Sequence, residues 1–180
     1  LRACNAGWSR VDGCVRGLLR ARRNPQQPLL MGILNVTPDS FSDGGRYNAV
    51  DTAVAHACRL LDEGAAIIDI GGESTRPGSD AVPSDVEKKR VLPVIETLMA
   101  KRPEAIVSVD TSKSDVASAA IAAGATIVND VTALADPHMA TVCAQARADL
   151  VLMHMRGRPK TMQGHTDYVD LVGEIREFLT

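Results

Sequence analysis

The sequence predicts an α/β fold with parallel strands, an incomplete (β/α)8 barrel of about five βα units. Three observations carry this expectation. First, apolar runs of strand length alternate with helical patterns from residue 29 onward, at 29–36, 65–70, 105–109, 126–128 and 150–153. Second, a theme recurs: EGAAIIDI (63–70) and AGATIVND (123–130) pass from Gly-Ala into an apolar run closing on an acid or amide, and ARADLVLMH (146–154) varies it. Third, each run delivers polar groups near its end: Asn35, Asp69, Asp110, Asn129 with Asp130, and His154. In a barrel those ends feed one catalytic face. A doubly wound sheet would gather its ligand groups at a single switch point, and the glycine-rich nucleotide loops that mark such folds are absent.

Length sets the limit. A full barrel takes ~250 residues, and residues 29–180 hold about five units at ~30 residues each. The barrel is expected to break off in a helical pattern before a sixth strand, leaving two sheet edges and an apolar face uncovered.

Residues 1–28 differ from the rest. They hold six arginines against Asp12, a net +5, and close on Asn-Pro and Gln-Gln-Pro, whereas residues 29–180 carry −7. They form a separate Arg-rich N-terminal extension ahead of the barrel domain at 29–180. Leu18 and Leu19 could lay a short strand across the bottom of the fold. An Arg-rich, acid-poor leader also resembles a transit peptide, so an organelle is an alternative to the expected cytoplasmic location. With a −7 body, and only one Trp, two Tyr and two Phe in the whole chain, the protein offers nucleic acid neither field nor stacking surface. No apolar run approaches a ~20-residue membrane span. Cys4, Cys14, Cys58 and Cys143 show neither C-x-x-C nor paired spacing with His, which fits free thiols and argues against zinc.

The helices follow in order. Val50, Ala53, Val54, Ala57, Cys58 and Leu61 share one face of the first. Ser84-x-x-Glu87 reads as a capping box opening the second, and Pro93 should kink or end it. Ser112-x-x-Asp115 opens the third, which stops at Gly124. Asp136 and Pro137 mark the cap and first residue of the fourth, and the fifth runs from Tyr168.

The stretch MGILNVTPDSFSDGGR (31–46) joins a strand to a loop too long and too particular for a plain connection. It reads as a strand end presenting Asn35, followed by a lid that includes Phe41. In GGESTRPG (71–78), Arg76 suits a phosphate oxygen through its paired donors, with Thr75 adding a hydroxyl. Asp69 is expected to be buried and to orient a neighbour. Asp110 and Asn129, side by side, can grip a ring edge that mixes donors and acceptors, such as a pterin or purine; Asp110 or Asp130 could equally cap the turn that follows it. His154 reads as structural.

Five motifs together, NVTPDSFSDGG (35–45), IDIGGESTRPG (68–78), SVDTSK (108–113), VNDV (128–131) and LMHMRGRPKTMQ (152–163), resemble dihydropteroate synthase from about residue 29 to the end. The resemblance implies a (β/α)8 barrel that joins 6-hydroxymethyl-7,8-dihydropterin diphosphate to 4-aminobenzoate in folate synthesis. It implies Asn35 as a ligand to Mg²⁺ that helps hold the diphosphate, and Thr75 and Arg76 as substrate and diphosphate contacts. It assigns Asp110 and Asn129 to the pterin, Met153 to its pocket, and Phe41, Asp43 and Pro77 to loops closing on 4-aminobenzoate. Asp110 and Arg76 are the catalytic choices, one beside the developing cation and one on the leaving group. The expected partners are these small molecules, with a homodimer left open.

The family's later D-P-G-x-G-F, S-R-K and R-x-H segments do not occur in these 180 residues. The chain by itself is therefore expected to bind substrate weakly and turn over little. Two alternatives stand beside the main reading: an inactive or self-associating fragment, and the pterin-binding module of a corrinoid methyltransferase. The second has no use for the diphosphate and arylamine motifs.

Overall fold

A computed structural model describes residues 28–37, 45–74, 81–157, 161, 164 and 167–180, with main chain only at 45–48. The expected strand at Leu18–Leu19 lies outside the described residues. Strands and helices alternate: β1 (Met31–Asn35), α1 (Gly45–Asp62), β2 (Ile67–Gly71), α2 (Ser84–Lys101), β3 (Ile106–Asp110), α3 (Ser114–Ala123), β4 (Ile127–Asp130), α4 (Met139–Ala146), β5 (Asp149–Leu152) and α5 (Leu171–Leu179). The five strands form one parallel sheet in the order β1-β2-β3-β4-β5. Strictly sequential order is that of a barrel wall, and five βα units of it are present.

Side-chain alternation gives the sheet two unlike faces. Leu34, Ile68, Ile70, Val107, Val109 and Val128 point outward into the main core, against Val54, Val91, Ile95, Leu98, Val116 and Met139 of the helices. The inner face carries Ile67, Ile106 and Ile127 as a separate small cluster. On the flanking strands this inner face is open. Ile33 of β1 is 66% exposed and Val151 of β5 is 42% exposed, whereas Leu34, next to Ile33 but on the other face, is buried. β1 and β5 are the outer strands of the sheet among the described residues.

Several helix starts differ from the sequence expectation. Pro83 caps α2 with no side-chain capping bond, so Ser84 and Glu87 do not form a capping box. Glu87 is fully buried and bonded to Lys113 instead, because a carboxylate with a cation in reach gains more there than from a backbone N–H. Pro93 does not end α2, which continues to Lys101. Buried Val91, Val94, Ile95 and Leu98 on either side hold the helix together, outweighing the ~3 kcal/mol proline cost. Lys113, not Ser112, caps α3, and Asp136 Oδ2 accepts from Ser114 N at 2.8 Å. Asp136 also accepts from His138 N, one turn ahead of α4, whose cap is His138. Gly124 ends α3 as expected, at φ 121°, with its N–H donating to Ala120 and Ile121 carbonyls.

Candidate active site at the C-terminal rim of the sheet

Register brings the expected residues together. Asn35 lies opposite Gly71, Gly71 opposite Asp110, and Asp110 opposite Asn129, forming one row across four strands. Gly71 separates two of them: a Cβ there would lie 3.5 Å from Asp110 Oδ2 and 3.7 Å from Asn35 Oδ1. With only a hydrogen at that position, the two oxygens share an open gap.

Below this row the inner face carries buried polar groups on β2 and β3. Asp69 is buried, and its Oδ2 accepts from Asn129 Nδ2 at 3.0 Å, the orienting role the sequence suggested. Asp69 Oδ1, Ser108 Oγ and Asp110 Oδ1 are buried without a hydrogen-bond partner among the described residues. Orphaned acceptors on one face are costly unless a ligand donates to them. Burial, and then the negative charge of Asp69, Glu87, Asp130 and Glu73, push the Asp110 carboxyl up to about 7.

Asp130 plays a different part. It is fully buried, and its carboxylate accepts from Thr132 N at 2.8 Å, Thr132 Oγ1 at 2.7 Å and Leu134 N at 2.8 Å. These bonds hold Ala133 and Leu134 at φ 51° and 71°, a left-handed turn L-residues rarely adopt. Of the two acids, Asp130 is the turn cap, and Asp110 is left for the site.

Met153 follows β5, and its N–H donates to Asp130 O at 3.2 Å, which extends the pairing and leaves its side chain 37% exposed. His154 packs edge-on against Phe178 at 4.9 Å and lies 5.9 Å from Tyr168. Arg156 stacks over Tyr168 at 3.9 Å and pairs with Glu174. His154 and Arg156 therefore dock α5, in keeping with a structural His154. Phe41, Asp43, Thr75, Arg76 and Pro77 lie outside the described residues, and with them the lid.

The sequence reading missed one cluster. Lys113 Nζ donates to Glu73 and, at 2.5 Å, to Glu87 Oε2. Burial lowers the Lys113 pKa, but the hydrogen bonds Lys113 donates to Glu73 and Glu87 outweigh it and hold that pKa above the usual lysine value. Beside it, Arg90 Nη1 donates to Gly72 O at 2.7 Å. Glu73 and Lys113 are forty residues apart in the chain, so no local pattern announces the pair.

The oxygens at the rim suit a hard cation. Asn35 Oδ1 and Asp110 Oδ2 both face the gap over Gly71, and no group of three or more His, Cys, Asp or Glu poised for a metal occurs among the described residues. Mg²⁺ commonly takes one or two protein oxygens and completes its shell with phosphate and water, so the donor set fits it. No helix among the described residues is long and apolar enough to cross a membrane.

Residues 31–180 match the family described as pterin binding enzyme. The dihydropteroate synthase of Synechocystis sp. is 48% identical over 152 residues, covering 84% of this chain and 52% of the relative. That of Bacillus subtilis is 54% identical over 132 residues, covering 73% and 46%. The structure of the Xanthomonas albilineans dihydropteroate synthase with 4-aminobenzoic acid superposes at a TM-score of 0.74 with 51% identity, over 86% of this chain and 54% of that one. The Yersinia pestis enzyme in a sulfonamide drug complex gives 0.75 at 49% identity, over 84% and 55%. The chain spans about half the length of the relatives it matches. With five sequentially ordered parallel strands and these matches, the chain is part of a (β/α)8 barrel and belongs to the pterin-binding enzyme family.

Proposed function

We propose that this chain contributes the pterin and diphosphate half of a dihydropteroate synthase site. The reaction joins 6-hydroxymethyl-7,8-dihydropterin diphosphate to 4-aminobenzoate, giving 7,8-dihydropteroate and diphosphate. The observation that carries the reading is the single row Asn35, Gly71, Asp110 and Asn129 at the strand ends, backed by orphaned inner-face acceptors. The relatives' shared name and the 4-aminobenzoic acid bound to the Xanthomonas enzyme support it.

In this reading Asp110 and Asn129 hold the pterin ring, and Met153 lines its pocket. Thr75 and Arg76 take the diphosphate, and Asn35 would hold Mg²⁺ beside it. Mg²⁺ when bound supplies neutralisation of leaving-group charge. The bond between the pterin CH₂ carbon and the diphosphate oxygen breaks. The arylamine nitrogen then bonds that carbon and gives up a proton. As the carboxylate, its dominant form above pH 7, Asp110 lies beside the developing cation and offsets its charge. Phe41, Asp43 and Pro77 close on 4-aminobenzoate. The chain needs no protein nucleophile; positioning and electrostatics do the work. A cytoplasmic setting fits the free Cys58 and Cys143, and the mitochondrial folate synthesis relative of Arabidopsis thaliana keeps an organelle in view.

The test is fluorescence titration of the 180-residue chain with 6-hydroxymethylpterin. Binding is expected, weakened about tenfold or more by D110A and by N129A. Affinity indifferent to both replacements would overturn the reading. A second reading, self-association of this chain through its open inner face, is favoured by the exposure of Ile33 and Val151. A sedimentation coefficient that rises with concentration would support it, and a constant monomer value would exclude it.

A further inference from the structure

The Lys113 cluster has no part in the chemistry proposed above, yet it sits where β2, α2 and the start of α3 meet. Lys113 donates to Glu73, just beyond β2, and to Glu87 of α2, which is fully buried and has a second oxygen with no partner among the described residues. Arg90, one turn along α2, donates to Gly72 O. The chain between is tightly seated: a Cβ on Gly72 would come within 2.8 Å of Val91 Cγ1 and 3.2 Å of the Glu87 carbonyl. Immediately before it, Gly71 separates Asn35 Oδ1 from Asp110 Oδ2, and Gly71 O accepts from Val36 N at 2.7 Å. A displacement of 71–73 would therefore move the end of β1 relative to β3.

We propose that Lys113 is a positioning residue: by bonding Glu73 and Glu87 at once, it pins the chain at 71–73 against α2 and so sets the spacing of Asn35 and Asp110. The role deepens the dihydropteroate synthase reading and rests on it for the identity of the ligand. Lys113 touches no substrate. A buried carboxylate that loses the cation paired with it must take a proton or rearrange, so the clamp depends on the lysine's charge.

Two measurements on the 180-residue chain test this. The first is amide hydrogen exchange, with Val36 N–H as the reporter of the β1–β2 end. Thr126 N–H, bonded to Val107 O at 2.9 Å away from the clamp, is the internal standard. Lys113→Met is expected to speed Val36 exchange about tenfold or more relative to Thr126, and Lys113→Arg to stay within about threefold of the parent. If Lys113→Met does not fold, the double variant K113M/E87M, which leaves no unpaired buried charge, is expected to fold and show the same selective loosening. Equal acceleration of both amides, or of neither, would overturn the proposal. The second measurement is affinity. Lys113→Met is expected to weaken Mg²⁺–diphosphate at least tenfold while 6-hydroxymethylpterin changes less than threefold, since a shift of 71–73 moves Asn35 but leaves the pterin ligands Asp110 and Asn129 in register with each other on β3 and β4. Equal loss of both would overturn it. The exchange measurement needs no ligand, so it decides the clamp by itself. Failure of the functional reading would show separately, as a parent chain that binds neither ligand.

Discussion

Asp69 on β2 and Asn129 on β4 are joined across the intervening β3 by a 3.0 Å hydrogen bond from Asn129 Nδ2 to Asp69 Oδ2. A carboxylate only accepts, so the amide nitrogen must face it, and the amide oxygen is left for the neighbourhood of Asp110. Asp69→Ala frees that amide to turn. Pterin affinity is expected to fall about tenfold, the worth of one well-placed hydrogen bond. Asp69→Asn still offers an oxygen to Asn129 and should stay within about threefold. Fluorescence titration of the two variants with 6-hydroxymethylpterin checks this, and equal affinities would refute the orienting role.

Asp110 gives the chain a pH-dependent stability. Its folded pKa of about 7 lies above the ~4 of an unfolded aspartate. The folded state therefore keeps the proton to higher pH, and the stability this confers below about pH 4 is lost as pH rises through 7. Asp110→Asn cannot lose it. The parent and Asp110→Asn are expected to be nearly equally stable at pH 4, with the variant ahead by roughly 2–4 kcal/mol at pH 8. Thermal unfolding across that range measures the gap, and a gap that does not change with pH would contradict the assignment.

Adjacent glycines at the end of β2 should answer differently to alanine. At Gly72 a methyl meets Val91 at 2.8 Å and backbone at 3.2 Å, so Gly72→Ala is expected to cost about 1–3 kcal/mol in urea unfolding. At Gly71 its contacts are ordinary, at 3.5–3.7 Å, so Gly71→Ala should cost less than about 1 kcal/mol. The Gly71 methyl instead fills the gap between Asn35 and Asp110, and Mg²⁺–diphosphate binding should weaken. A stable, binding-competent Gly71→Ala would show that the gap is not used.

Neighbouring residues of β1 sit on opposite faces and make a second contrast. Leu34→Ala opens a cavity in the helix-covered core and is expected to cost about 2–5 kcal/mol. Ile33→Ala, on the open inner face, should cost less than about 1 kcal/mol. Urea midpoints at constant m-value report both, and similar losses would mean that Ile33 is covered in solution.

What the sequence determined by itself was the periodic part. The strands came within two residues of their observed bounds because buried parallel strands leave continuous apolar runs. Asn35, Asp110 and Asn129 were legible because strand ends in sequential order must line up on one rim. Helix boundaries were legible only where the signal is local, as at Gly124, the end of α3. Glu87 in a first turn reads as a capping acid, and only packing of α2 against β2 and the loop before α3 turns it inward to Lys113. The choice between Asp110 and Asp130 was likewise tertiary, since alternation about β4 sends Asp130 to the helix side and its own turn. Chain-local chemistry is written in neighbours three or four residues apart; the Lys113–Glu73 and Asp69–Asn129 contacts join residues forty and sixty apart. Those two contacts, which fix how the rim is held, exist only once the strands are laid side by side.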